Sequence, residues 1–309
     1  MKKIEFVCSD PGRPEFRRIF GGWLTEHGGR AFLVDCGVGG GAGALVAEVK
    51  EHLGGRPLNY VLLTHIHLDH AGGLGEIVKA WPEVKVLAHD KGLRYLVSPG
   101  RLWASTREVM GELAEMYGEP APMDPARLIP HSQADLAGLK IIETPGHASH
   151  HLSFRLGETM FVGEAAGCPL LIDGRIYNRP ATPPRHYPEA MSASVARLLE
   201  EPDGPAYFGH IDYPIAFHDC LRAYQRQLKF WNDLTSGPEA ALRPGESAGQ
   251  RLDRLLDIII GHDPDSIPFE KLSPLENWRE RYFARNALEG LLDYYENSAP
   301  AAAVANGPG

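Results

Sequence analysis

Cysteine is scarce in this chain of 309 residues: Cys8, Cys36, Cys168 and Cys220 are scattered, with no Cys-x-x-Cys pair. That spacing supports neither a disulfide framework nor a zinc ribbon, and it leaves reduced thiols in a cytoplasmic setting as the reading. No apolar run approaches the ~20 residues of a membrane-spanning helix. Met1-Lys2-Lys3 leads directly into Ile4-Glu5-Phe6-Val7, without an apolar leader or a small-residue cleavage site. Neither a transmembrane segment nor a cleaved signal peptide is therefore expected, and no membrane partner. Positive charge is in deficit, with 31 Lys and Arg against 40 Asp and Glu and a net charge of −9. Neutralising a phosphate backbone takes Lys and Arg, so no nucleic-acid partner is expected. The glycine-rich stretch 37–43 is not followed by Gly-Lys-Ser/Thr, which argues against a phosphate-cradling loop. No internal repeat is present.

What the chain does have is a dense cluster of metal-binding residue types. His65-Ile66-His67-Leu68-Asp69-His70 ends the apolar run Tyr60-Val61-Leu62-Leu63. Burying three imidazoles and a carboxylate costs several kcal/mol, roughly, unless each finds a partner, and a metal ion satisfies all of them together. In an extended backbone His65 and His67 point to one side. A turn into the helix suggested by Gly73–Val78 carries Asp69 and His70 round to a second centre. Four ligands are too many for one catalytic metal that keeps an open position, so the segment reads as half of a two-metal site.

The other half is expected downstream, at the ends of further strands. Ile141-Ile142-Glu143 runs into Thr144-Pro145-Gly146-His147, Met160-Phe161-Val162-Gly163 ends on Glu164, and Tyr207-Phe208-Gly209 ends on His210. Strand ends along one rim of an α/β sheet are where such ligands gather. Of the neighbouring histidines, His151 is expected in the core or behind a ligand, and His150 in solvent.

These residues carry a family resemblance. Thr64-His65-Ile66-His67-Leu68-Asp69-His70-Ala71-Gly72-Gly73 resembles the metal-binding signature of the metallo-β-lactamase-fold hydrolases. The resemblance continues in order through Leu33-Val34-Asp35-Cys36-Gly37, Thr144-Pro145-Gly146-His147, Phe161-Val162-Gly163-Glu164 and Gly209-His210, over roughly residues 1–215. It implies an α/β fold, a metallo-β-lactamase-like αββα sandwich with a helical C-terminal extension. It also implies that His65, His67 and His147 hold one metal and Asp69, His70 and His210 the other, with Glu164 bridging and Asp35 supporting the cluster from beneath. The bridging residue in this family is ordinarily aspartate. The extra methylene of Glu164 shifts the carboxylate by ~1.5 Å. Three arrangements stay open: a bridge with a shifted strand end, a carboxylate on one metal, or one weakened site. The bridge is the reading taken.

The implied chemistry is a dinuclear metal-dependent hydrolase. A metal-bridging hydroxide, oriented by Asp69 as catalytic residue, attacks a small ester-type substrate, a thioester or lactone in glyoxalase II-like or lactonase-like members. Two divalent ions per chain are expected, zinc first, with iron or manganese as alternatives. An iron-dependent oxidoreductase of the sulfur dioxygenase type and a metal-containing, non-catalytic regulator are the competing classes.

The expected domains are 1–214 for the catalytic part, 215–296 for a helical region and candidate homodimer interface, and 297–309 for a disordered tail. Within the first, strands are expected at 4–7, 17–26 and 30–35, and one helix over 101–117 as a lid or a packed insert. The proline-rich loop 177–187 carries Arg179 and Arg185, read as structural, with contact to a substrate carboxylate or phosphate as the alternative. Helices are expected at 215–234, 238–260 and 274–295. Arg279, Arg281 and Arg285 read as surface residues paired with Glu276, Glu280 and Glu289.

Overall fold

The computed structural model describes residues 4–181 and 187–298. Arg185 and the tail from residue 299 on lie outside the described residues. In chain order, strands β1 (Glu5–Cys8), β2 (Gly21–His27) and β3 (Arg30–Val34) precede helix α1 (Ala42–Leu53) and strand β4 (Tyr60–Leu62). Helices α2 (Leu68–Ala71) and α3 (Leu74–Ala80) lead to β5 (Lys85–Ala88). Helices α4 (Asp90–Val97), α5 (Gly100–Met110) and α6 (Ala114–Tyr117) lead to β6 (Leu128–Pro130). Next come β7 (Leu139–Glu143), β8 (Leu152–Leu156), β9 (Thr159–Gly163), β10 (Leu170–Ile172) and β11 (Arg175–Tyr177). Helix α7 (Pro188–Leu198), β12 (Pro205–Phe208) and β13 (Ile215–Ala216) follow, and α8 (Phe217–Ser236), α9 (Ala248–His262) and α10 (Pro274–Asp293) come last.

The chain forms two compact units. The first comprises the chain up to Thr144, Ser149–Gly163 and Pro205–Ile215; the second comprises Pro145–Ala148, Glu164–Gly204 and the chain from Ala216 on. The second thus includes 145–148 and 164–204, which the sequence reading grouped with the catalytic part.

In the first unit, a six-stranded sheet runs β1-β2-β3-β4-β5-β6, antiparallel through β3 and parallel from β3 to β6. Strands β3 to β5 are apolar on both faces, as strands buried on both sides must be. Alternation sends Leu33, Val61 and Val86 to one face, where they pack with Leu45 and Val49 of α1 and Leu74 and Ile77 of α3. Phe32, Val34, Leu62 and Leu87 go to the other face and meet Leu152, Phe154, Leu156 and Phe161 of a second sheet. That sheet runs β13-β12-β9-β8-β7, with β12 parallel to β9. Helix, sheet and sheet therefore stack in three layers, and the parallel strands β3, β4, β9 and β12 deliver their C-terminal ends to the segments that carry the candidate ligands.

The second unit has its own core. Trp231 of α8, Leu255, Leu256 and Ile259 of α9, and Leu288 and Leu291 of α10 pack together and are nearly solvent-free. Helices α9 and α10 each begin with a reciprocal capping box, Ser247 with Gln250 and Ser273 with Glu276.

Four sequence expectations need correction. The strand expected from residue 17 starts at Gly21, because residues 14–16 form a 3₁₀ turn and Arg18 takes a left-handed conformation (φ 56°). The helix expected over 101–117 breaks at Gly111 (φ 54°). The helix expected from residue 238 starts at Ala248, since Gly245 (φ 80°) interrupts the preceding segment. Arg279 is not on the surface: it is buried, as is Glu280, whose carboxylate accepts from Arg279 Nε at 2.8 Å and from Arg179 Nε at 2.6 Å. Arg179 also lies over the Phe283 ring, 4.8 Å from its centroid, which makes it a structural residue. Burial alone would raise the Glu280 carboxyl, but the two guanidinium groups outweigh it and hold it below its ordinary range.

Candidate metal centre

The first unit brings together five of the seven expected ligands. Strand β4 ends at Leu62, and Leu63 N–H still bonds Leu87 O (2.9 Å), so the backbone is held to the edge of the 64–70 segment. One donor atom from each of Asp69, His70 and His210 lies within 4.8 Å of the others. Asp69 Oδ2 is 3.9 Å from His70 Nε2 and 3.6 Å from His210 Nε2. The ring of His65 is 4.6 Å from that of His67 and 4.1 Å from that of His70, centroid to centroid.

Hydrogen bonds behind the rings decide which nitrogen each presents. Asp35, just past β3, accepts from Thr64 N–H and the Thr64 hydroxyl, both at 2.8 Å, and from His70 Nδ1 at 2.9 Å. With Nδ1–H directed at Asp35, the lone pair of His70 is on Nε2. Thr64 Oγ1 gives its proton to Asp35 and so accepts from His65 Nδ1 (3.1 Å), which puts the His65 lone pair on Nε2 as well. His210 Nδ1 donates to Ile19 O at 3.3 Å, with the same consequence. An acceptor behind each ring, a carboxylate for His70, a hydroxyl for His65 and a carbonyl for His210, is the arrangement that orients metal-ligating histidines and fixes their tautomers.

Two of these residues hold uncommon backbone conformations. Asp35 (φ 60°) and His210 (φ 62°) sit in the left-handed region, which costs a residue with a Cβ about 1–3 kcal/mol and concentrates at functional sites. His210 follows a register shift between Tyr207 and Phe208 where β12 pairs with β9. Such an irregularity re-aims the residues that come after it.

His151 is fully buried. Its Nδ1 bonds Thr144 Oγ1 (2.8 Å), which bonds Ser153 Oγ (3.0 Å), which donates to Val162 O (3.0 Å). It sits in the core, 5.1 Å from the His65 ring. His150 is only half-buried, and its ring lies 5.6 Å from that of His67, beside the ligands rather than out in solvent.

The remaining two expected ligands lie in the second unit and meet there. His147 Nε2 is 3.0 Å from Glu164 Oε2, and both residues are buried. The other oxygen, Glu164 Oε1, accepts from Cys168 Sγ at 3.1 Å. Burial pushes the Cys168 thiol well above its ordinary range. Sequence reasoning had no role for Thr64, Thr144, Ser153 or Cys168; nearness in sequence to a ligand was the one signal each offered.

Another histidine–carboxylate group in the first unit does not qualify. Donor atoms of His89, His131 and Glu143 also lie within 4.8 Å. However, His89 Nδ1 accepts the Lys91 backbone N–H (3.1 Å) as the N-cap of α4, so Nε2 carries the proton of the neutral ring. Burial lowers the His89 pKa and keeps it neutral. His131 Nδ1 is held by Asp90 Oδ1 at 2.7 Å. These groups form a hydrogen-bonded clamp.

The chemistry of the first set differs in kind. It comprises imidazole Nε2 lone pairs and a carboxylate oxygen, converging and backed by acceptors, which fits a divalent metal ion. A family model described as the Metallo-beta-lactamase superfamily matches residues 22–210. The chain belongs to that superfamily. A solved archaeal superfamily member, ST1585 from Sulfolobus tokodaii, superposes with a TM-score of 0.61 at 23% identity, over 91% of this chain and 99% of that one. The fold is thus the expected metallo-β-lactamase-like α/β sandwich with helices at its C-terminal end. In sequence, the metallo-beta-lactamase fold-containing protein ST1585 of Sulfurisphaera tokodaii is 32% identical over 162 residues, covering 50% of this chain and 60% of its own length. A hydroxyacylglutathione hydrolase of Methylobacterium nodulans is 27% identical over 267 residues, 78% of this chain and 87% of that protein.

Proposed function

We propose that this protein is a dinuclear metal-dependent hydrolase of small esters, with thioesters first and lactones second. The observation that carries the reading is the convergence of Asp69 Oδ2, His70 Nε2 and His210 Nε2, each imidazole backed by an acceptor on its Nδ1. The full ligand assignment rests on the family pattern: His65, His67 and His147 for one ion, Asp69, His70 and His210 for the other, and Glu164 for both. The sequence match to a hydroxyacylglutathione hydrolase over most of both chains supports the choice of substrate class. Zinc is the metal proposed, on its preference for imidazole-rich sites.

A bound divalent ion supplies Lewis acidity and brings the pKa of its water near neutrality. The residues of the chain do the rest. Asp35 fixes the proton on His70 Nδ1 and, through Thr64, on His65 Nδ1, so that neither ring has to change tautomer during turnover. Asp69 is partly exposed, unlike the buried His65 and His70. Its carboxylate is therefore the group able to orient an incoming water and accept a proton from it.

Asp69→Asn tests this. The amide retains the shape but is neither a base nor an anionic ligand, and a proton-transfer role corresponds to a loss of about 10²–10⁴-fold in kcat/KM on a thioester substrate. Turnover by Asp69→Asn at the native rate, with metal bound, contradicts the role. So does a native protein that is metal-loaded yet inert towards thioesters and lactones.

A further inference from the structure

The carboxylate at position 164 is one methylene longer than the aspartate ordinary at this place, and the second unit shows what accompanies it. Glu164, Ala165, Ala166 and Gly167 form a tight turn closed by Gly167 N–H to Glu164 O at 3.2 Å. The turn is pinned from outside: Asn178 Nδ2 donates to Ala166 O at 2.8 Å, and Cys168 N–H to Arg179 O at 2.9 Å. Gly167 (φ 75°) has no room for a side chain, since a Cβ there would lie 2.5 Å from Arg179 O and 2.6 Å from Asn178 Oδ1. A turn so fixed returns the chain beneath its own start and aims the buried Cys168 thiol at Glu164 Oε1, 3.1 Å away. The other oxygen faces His147 Nε2 at 3.0 Å.

We propose that Cys168 is a positioning residue for Glu164: its S–H takes up Oε1 and leaves Oε2 as the oxygen presented, beside His147, to a metal ion. The inference rests on the proposed reading of Glu164 and His147 as ligands. It explains how the longer side chain works here. A glutamate has one more rotatable bond than an aspartate, and a donor on one carboxylate oxygen removes that freedom. An aspartate at 164 would withdraw its carboxylate by ~1.5 Å and out of reach of the thiol. Cys168 and Glu164 therefore act as a pair.

The test is a zinc titration of the full-length protein by chelator competition, on the native chain, Cys168→Ala, Cys168→Ser, Glu164→Asp and the Glu164→Asp/Cys168→Ala double variant. Removing a group that orients a ligand typically weakens metal affinity by about 10–100-fold. That loss is expected for Cys168→Ala, with recovery in Cys168→Ser, whose hydroxyl donates to the same oxygen. In the Glu164→Asp background, Cys168→Ala is expected to change nothing further. A merely structural thiol predicts the opposite pattern: equal losses in both backgrounds and no recovery with serine. Native affinity in Cys168→Ala, or that additive pattern, overturns the positioning role while leaving the metal reading intact. A thiolate-to-cobalt charge-transfer band in the Co²⁺-loaded native protein, lost in Cys168→Ala, also overturns it by making Cys168 itself a ligand. No zinc uptake by the native chain overturns both this inference and the functional reading beneath it.

Discussion

Asp35 gathers three hydrogen bonds onto one carboxylate while holding a backbone conformation that glycine adopts more readily. Asp35→Asn replaces one oxygen by an NH₂ group. In the place of Oδ2, that group opposes His70 Nδ1–H and unfixes the imidazole tautomer; in the place of Oδ1, it opposes the Thr64 backbone N–H. A loss of about 10–100-fold in zinc affinity is expected, measurable by chelator competition, and an unchanged affinity would remove Asp35 from the account. At this scale the sequence was legible where the residues were local: His65, His67, Asp69 and His70 occupy six positions, and the structure places them together. Of the supports, Asp35 was implied by the family resemblance, whereas the partner of His210 was hidden by its distance along the chain. Ile19 O backs His210 from 191 residues away, and no pattern in the chain announces a carbonyl as a partner. Glu280 was misread for a related reason. Alternating Arg and Glu on a helix look the same whether they face water or a buried Arg179 that is 101 residues earlier.

Strand ends set the geometry at the scale of elements, and Gly163 at the end of β9 is tightly enclosed. At φ 62°, a Cβ on it would lie 2.7 Å from His151 Nε2 and 2.8 Å from Thr64 Cβ. Gly163→Ala is therefore expected to destabilise the fold by about 1–3 kcal/mol from the backbone alone, read in urea unfolding, and to disturb His65 through Thr64. A variant as stable as the native chain would mean that the strand end yields more easily than its contacts suggest. Helix α10 supplies the second test. Glu280→Gln removes the buried carboxylate that accepts from both Arg179 and Arg279, a change that costs about 3–5 kcal/mol. The pH dependence has a definite sign. Because the native pKa of Glu280 is depressed, its contribution is full above its unfolded value of about 4.3 and disappears as pH falls through the lower native one. Urea unfolding across the acid range should show a smaller loss of stability in Glu280→Gln than in the native protein, and equal acid slopes would contradict the depressed pKa. Strand β3 and the run that becomes β4 were legible as apolar stretches, and the long C-terminal helices from their apolar spacing. Strand β6 and the breaks at Gly111 and Gly245 were not, since Leu128-Ile129-Pro130 is too short an apolar run to mark a strand beside so many prolines and a glycine marks a turn only once its φ is known.

For the whole molecule, the superfamily fold and the order of the motifs agree over residues 22–210, and among the described residues no helix is long and apolar enough to cross a membrane. The central claim is that this chain folds around divalent metal ions and uses them. A ligand that binds the native state alone raises stability by mass action, so metal content and thermal stability should move together. The decisive measurement is elemental analysis of the purified full-length protein before and after chelation, followed by reconstitution with zinc and a thioester assay at each stage. Two zinc ions per chain, lost on chelation together with hydrolysis and part of the thermal stability, and all restored on reconstitution, is the expected result. A protein that retains no divalent metal, or whose hydrolysis of thioesters is indifferent to its removal, would contradict the account.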